Sequence, residues 1–270
     1  MLGSLMRHEF RATGRIMLPL YLVIALVAVG GNASTRVMEH SESRLVNLLG
    51  GLVIVAFVVA LIAGALMSLY LMISRFHKNL LTDEGYLMFT LPVSTHSLIF
   101  SKLIVSVIWF AVTAAVTMLA LLLLTFRVGY LDAFLRFIRQ FGEMIADVGA
   151  YYTLNGAVIA VEMLVLSLVG AASFCLVVYA AAALGHSFAN HKVLLSFVFF
   201  FLFSWVGQFV GIGGFLALDG LQFNFFLLEH LSAMGQIHAV VALVFLSELV
   251  YCAIFYVITA ISLQKHINLE

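Results

Sequence analysis

The sequence predicts an all-α integral membrane protein, and three observations carry that prediction. Of 270 residues, 64% are hydrophobic and 10% charged, against about 45–50% and about 25% in a soluble domain. The mean hydropathy is +1.16. Apolar residues fall in runs of the length that crosses a bilayer, about 20 residues for about 30 Å of hydrocarbon. A water-soluble globule of this size has too little interior to hide that excess. The composition therefore excludes a soluble enzyme, a nucleic-acid-binding domain and a disordered chain. Lys plus Arg and Asp plus Glu balance at 13 each, so no net field attracts nucleic acid.

Six stretches qualify as spans: 16–31, 47–74, 99–126, 155–184, 193–216 and 238–263. They leave no room for a separate soluble domain, so 1–270 reads as one transmembrane domain. Ahead of the first span, Arg7, Arg11 and Arg15 recur every four residues while Leu2, Leu5, Met6 and Phe10 line another face. That pattern predicts an amphipathic helix over 1–15 lying in the membrane interface against anionic lipid headgroups. Segment 127–153 keeps helical spacing in Leu131, Phe134, Leu135 and Ile138 and reads as a surface-lying or partly re-entrant helix. Segment 217–237, rich in Phe and Leu, reads as a short apolar re-entrant element before the last span.

The basic residues orient the chain. With the N-terminus inside, Arg7, Arg11, Arg15, Arg75, Lys78, Lys102, Lys192 and Lys265 face the cytoplasm, eight against the five of Arg36, Arg44, Arg127, Arg136 and Arg139. All four lysines fall inside, so both termini read as cytoplasmic.

The stretch between spans two and three, 75–98, is unusual. It runs Arg75-Phe76-His77-Lys78-Asn79-Leu80-Leu81-Thr82-Asp83-Glu84-Gly85-Tyr86-Leu87-Met88-Phe89-Thr90-Leu91-Pro92-Val93-Ser94. Asp83 and Glu84 suit the positive end of a short helix, Tyr86, Leu87 and Phe89 offer it an apolar face, and Pro92 ends it. Ser94 is positioned to cap the third span. A charge-rimmed aromatic patch at a membrane surface is suited to docking another protein.

These residues, with Ser101-Lys102-Leu103 entering the next span, resemble the permease subunits of bacterial export-type ABC transporters, in particular the six-span group found with bacitracin and lantibiotic systems. The likeness extends to the topology of the whole chain. It implies that residues 79–92 form a coupling helix seated on a separate ATP-binding cassette subunit through Asp83, Glu84, Gly85, Tyr86, Leu87, Phe89 and Pro92. It further implies a second permease copy or homologue, a bacterial cytoplasmic membrane, and export of an amphipathic, lipidic or peptide cargo.

The chain itself lacks G-x-x-x-x-G-K-[ST], since none of its four lysines follows a glycine. ATP and Mg are thus expected on the partner, with no cofactor and no enzyme activity here. Other constellations are weak. His8-Glu9 fails the zinc-binding pattern H-E-x-x-H because Ala12 stands in the last place. Cys175 and Cys252 sit in apolar stretches without ligand spacing, and Gly185-His186-Ser187-Phe188-Ala189 only echoes a serine nucleophile loop.

Glu162 and Glu248 fall inside spans, where an ionised carboxylate costs about 2.5–3.5 kcal/mol on insertion scales. They either line a substrate path or tie spans together by hydrogen bonds. The first alternative opens a rival class, an ion- or proton-coupled carrier; a non-transporting scaffold subunit is a third. Small residues at four-residue spacing permit close helix approach. Ala56, Ala60, Gly64 and Ser68 suit packing within the chain, and Gly207 with Gly211 suits either packing or a dimer interface.

Overall fold

The computed structural model describes residues 2–82, 93–125, 136, 139, 140, 143, 156–188, 190–220 and 233–265. Among them are six long helices and no strand: α1 (Leu2–Glu39), α2 (Arg44–Leu80), α3 (Thr95–Thr125), α4 (Gly156–Gly185), α5 (Lys192–Gly220) and α6 (Ala233–Lys265). Each is long and apolar enough to cross a membrane. The chain is a multi-pass membrane protein of the all-α class. Nearly continuous apolar sequence makes each helix, because in hydrocarbon only a helix or a closed barrel satisfies its own backbone. Large apolar side chains such as Leu18, Leu45, Trp205 and Phe209 accordingly face outward.

The N-terminal arrangement differs from expectation. Instead of an interfacial helix over 1–15 followed by a separate span, α1 is one helix of 38 residues, about 57 Å at 1.5 Å per residue. Its buried residues Glu9, Thr13, Met17, Tyr21, Ile24, Ala28 and Gly31 continue at three- and four-residue spacing through the expected break. The stripe packs along its whole length, so the arginines at 7, 11 and 15 mark its polar side rather than a helix of its own. Pro19 lies within the helix; a mid-helix proline is tolerated in membrane helices when neighbouring groups take up the freed carbonyl.

The helices divide into two compact units, residues 1–74 with 100–139, and residues 75–99 with 140–270. In the first, Met17, Tyr21, Ile24 and Ala28 of α1 form a core with Phe57 and Leu71 of α2 and Ala120 of α3. Three members of the small-residue ladder on α2 serve this packing, while Ala56 is exposed. A side chain at Gly64 would meet Ile24 Cδ1 at 2.9 Å, Ala60 lies against the core, and Ser68 is buried. Asn32 donates from its amide to the Leu124 carbonyl at 2.9 Å, satisfying an acceptor in the last turn of α3.

In the second unit, α4 packs with α5 and with α6. A side chain at Gly185 would stand 2.6 Å from the Ser196 amide nitrogen and 2.8 Å from the Lys192 carbonyl oxygen. Only a glycine lets the start of α5 fold back that closely. His191, just before α5, takes a positive φ of 57° to make this turn. At Gly207 the space above the backbone is filled by the ring of Tyr251, whose hydroxyl donates to the Phe203 carbonyl at 3.1 Å. Gly207 thus takes part in packing between α5 and α6, whereas Gly211 has open space above it. Of segment 127–153, expected as a surface-lying or partly re-entrant helix, the structure describes only positions 136, 139, 140 and 143, and residues 221–232 of the segment expected to be re-entrant also lie outside the described residues.

Candidate functional site

The docking residues expected in the second loop, Asp83, Glu84, Gly85, Tyr86, Leu87, Phe89 and Pro92, lie outside the described residues. The two stems of that loop are described, and both belong to the second unit. Its first stem is the last turn of α2. There Phe76 stacks on Tyr179 of α4 at 4.1 Å with the rings 6° from parallel, both side chains being fully buried. One residue on, His77 meets His186 just beyond the end of α4, the Nε2 atoms 3.0 Å apart.

The bonding assigns the tautomers. His186 Nδ1 lies 2.8 Å from the Ala182 carbonyl, which can only accept, so Nδ1 carries the proton. His186 Nε2 is then a bare acceptor in the neutral ring, and His77 donates to it from Nε2–H. Burial pushes the His186 imidazole below its ordinary value of 6.5; the bond to Ala182 opposes this, and the charges of His77 and Lys192 add to it. A proton on His186 Nε2 would face the N–H of His77, so the contact would persist only with the His77 proton moved to Nδ1 and the direction of the bond reversed.

The second stem opens α3. Ser94 caps it as the sequence predicts, its Oγ accepting from the Ser97 amide at 3.3 Å. His96 Nδ1 is 2.5 Å from the Tyr256 hydroxyl of α6. Ring contacts therefore tie one side of the loop to α4 and the other to α6. No sequence pattern announces these contacts, because the partners lie 109 and 160 residues apart.

Polar groups in the first unit form a different arrangement. Lys102 Nζ bonds Glu9 Oε1 at 2.7 Å with both side chains buried. Sequence reasoning counts Lys102 as a cytoplasmic charge and meets Glu9 only in the incomplete zinc-binding pattern; the structure makes them one ion pair. Nearby, Trp109 donates from Nε1 to Thr13 Oγ1 at 2.7 Å, and Thr13 Oγ1 is itself 2.7 Å from the Glu9 carbonyl. Deeper in the unit, Thr113 Oγ1 stands 2.7 Å from the Tyr21 hydroxyl, the Ser68 hydroxyl and the Trp109 carbonyl. With Thr113 donating to that carbonyl, its oxygen accepts from Tyr21, and the single proton of Ser68 is shared between Thr113 Oγ1 and the Gly64 carbonyl 2.9 Å away; one hydroxyl thus joins α1, α2 and α3.

The chain matches no protein-family model, no curated protein and no solved structure. Function therefore rests on the residues themselves.

Of the two carboxylates predicted inside spans, Glu162 of α4 has a partner that sequence reasoning missed. His238 Nδ1 on α6 donates to both its oxygens, at 2.7 and 2.9 Å. His238 escaped notice because it sits near a span end, where histidines are ordinary. The pair lines a cavity of about 280 Å³ between α4 and α6. Glu248 is not among the cavity's lining residues. Its Oε2 is buried without a hydrogen-bond partner among the described residues. Cys252, one turn on, lies 3.9 Å by its sulfur from the Val169 carbonyl, and Cys175 is a free, buried thiol, so both act in packing. No group of three metal-binding side chains occurs among the described residues.

Proposed function

We propose that this chain is the membrane-spanning permease subunit of an ATP-driven ABC exporter in a bacterial cytoplasmic membrane, with both termini cytoplasmic. The observation that supports the reading best is the anchoring of the second loop. Its motif, Asp83 to Pro92, carries acids, aromatics and a helix stop, and its stems bear on α4 through Phe76–Tyr179 and His77–His186 and on α6 through His96–Tyr256. A push on such a loop moves two further spans besides α2 and α3, since packed helices shift as discrete bodies rather than deforming.

In this reading Tyr86, Leu87 and Phe89 seat the loop on an ATP-binding cassette subunit, with Asp83 and Glu84 at the rim. That partner binds ATP and Mg, and this chain performs no catalysis. A second permease copy completes the transporter, with Gly211 on the outer face of α5 available to that contact. The cargo is amphipathic, lipidic or peptide-like, because apolar walls offer it little beyond hydrophobic contact.

The test is affinity purification of the tagged chain from its native membranes in mild detergent, beside a variant carrying Glu84→Arg and Phe89→Ala. A stoichiometric companion bearing a Walker A loop is expected with the native chain and absent from the variant. Recovery of the native chain without any nucleotide-binding companion overturns the reading.

A second reading, a proton-coupled carrier, draws on the Glu162–His238 pair in its cavity. It differs in one measurable respect: transport by the purified chain in vesicles would follow an imposed pH gradient without ATP.

A further inference from the structure

The cavity between α4 and α6 has a composition suited to a particular chemistry. Its walls are Val161, Val165, Val241, Ala242 and Phe245, and its polar lining is Glu162 with His238. Both polar side chains remain about a third open, 28% for Glu162 and 32% for His238, so the cavity reaches them. His238 spends its Nδ1 donor on the carboxylate. A carboxylate accepts at about four lone-pair sites, so Glu162 keeps further acceptor capacity toward the space.

The occupant follows by elimination. An anion meets the carboxylate, and a metal ion finds two ligand side chains where it needs three or four. A volume of about 280 Å³ exceeds by far the share of one water, about 30 Å³, and approaches that of small-ligand pockets. Phe245 is the aromatic residue of the lining, and an aromatic ring attracts a cation at its face.

We propose that this cavity binds a monocationic lipophilic amine, its ammonium hydrogen-bonded to Glu162 in place of His238 and its hydrocarbon part on Val161, Val165, Val241, Ala242 and Phe245. The site works by exchange: the imidazole keeps the carboxylate partnered when the cavity is empty and gives way when a stronger donor arrives. Both donors bond a carboxylate, and an ammonium adds the attraction of a full positive charge to that of a neutral imidazole N–H. The proposal stands independently of what drives transport.

The test uses the full chain in detergent micelles, without ATP or any partner protein, and equilibrium dialysis against 2-(1-naphthyl)ethylamine. The uncharged 2-(1-naphthyl)ethanol serves as the control, and empty micelles supply the blank. Saturable binding of the amine is expected, with the alcohol at least tenfold weaker. Glu162→Gln should weaken amine binding at least tenfold. His238→Ala should tighten it several-fold, since the competing donor is gone. Ala242→Trp, which fills the cavity and leaves the pair in place, should abolish binding, and it keeps the test decisive if Glu162→Gln does not run as a single peak in gel filtration. Amine binding unchanged in Glu162→Gln or Ala242→Trp, an alcohol as tight as the amine, or no saturable binding by the native chain would each overturn the proposal.

Discussion

His77 and His186 meet nitrogen to nitrogen at 3.0 Å, and the carbonyl of Ala182 decides which of them donates. The arrangement joins the last turn of α2 to the end of α4, and His77 is the donor in it while His186 is neutral. It lies beside the buried stack of Phe76 on Tyr179, so one apolar and one titratable contact secure the same stem.

Stability should depend on pH through His186. Its folded pKa lies below the ordinary 6.5, so the unfolded chain binds more protons as pH falls through 6.5 toward the folded value. Stability from this group is complete above 6.5 and is lost as pH falls below it. Thermal unfolding in detergent from pH 8 to pH 5 should show the decline. His77→Leu should cost about 1–2 kcal/mol at pH 8, where an acceptor is left unpaired, and should make the decline shallower. An unchanged slope would count against the pairing.

Breaking the Glu9–Lys102 pair should do far more damage than removing it. Glu9→Gln takes a carboxylate from 2.7 Å of a buried ammonium, and breaking a buried pair from one side costs about 3–5 kcal/mol, whereas replacing both members by residues of similar size is often close to neutral. Chemical denaturation should therefore rank Glu9→Gln and Lys102→Gln well below Glu9→Met combined with Lys102→Met. Equal loss in all three would show that the pair contributes shape rather than charge.

The hydroxyl junction makes an ordered prediction. Hydrogen bonds between membrane helices average about 0.6 kcal/mol and reach about 1.7. Thr113→Val removes the bonds to both Tyr21 and Ser68 and should cost about 1–3 kcal/mol; Tyr21→Phe and Ser68→Ala should each cost less. A double replacement of Tyr21 and Ser68 should approach the Thr113→Val value, which a double-mutant cycle can read directly.

Gly185 should tolerate no side chain. Its neighbours at 2.6 and 2.8 Å are backbone atoms of Ser196 and Lys192, which cannot swing aside as a side chain can. Gly185→Ala should lose about 1–3 kcal/mol, as overpacked sites do, and should loosen the turn at His191. By contrast, Gly51→Ala and Gly170→Ala, where a new methyl meets nothing within 4 Å, should be neutral or slightly stabilising through helix propensity. Melting curves of the three variants separate the cases.

Much of the architecture was legible in the sequence. Six apolar runs became six helices, the last five within a few residues of the expected limits and the first far longer, and Ser94 became the cap of α3, because span length and capping depend on residues close together in the chain. The ladder Ala60, Gly64 and Ser68 also announced helix packing, since small side chains show their spacing directly. The unbroken α1 was obscured by the arginines at 7, 11 and 15, whose polar pattern masks a buried stripe running from Glu9 to Gly31.

What the sequence determined alone was the membrane, the number of helices and the position of a loop rich in charge and aromatic rings. Hydrophobic length against bilayer thickness is a local sum, and each helix satisfies its own backbone in hydrocarbon. The tertiary structure decided the partners: Lys102 with Glu9, Thr113 with Tyr21 and Ser68, His77 with His186, and His238 with Glu162. Those pairings join residues 45 to 109 positions apart. They arise because a polar side chain that enters an apolar bundle must find a donor or acceptor there, and only packing determines which one is within reach.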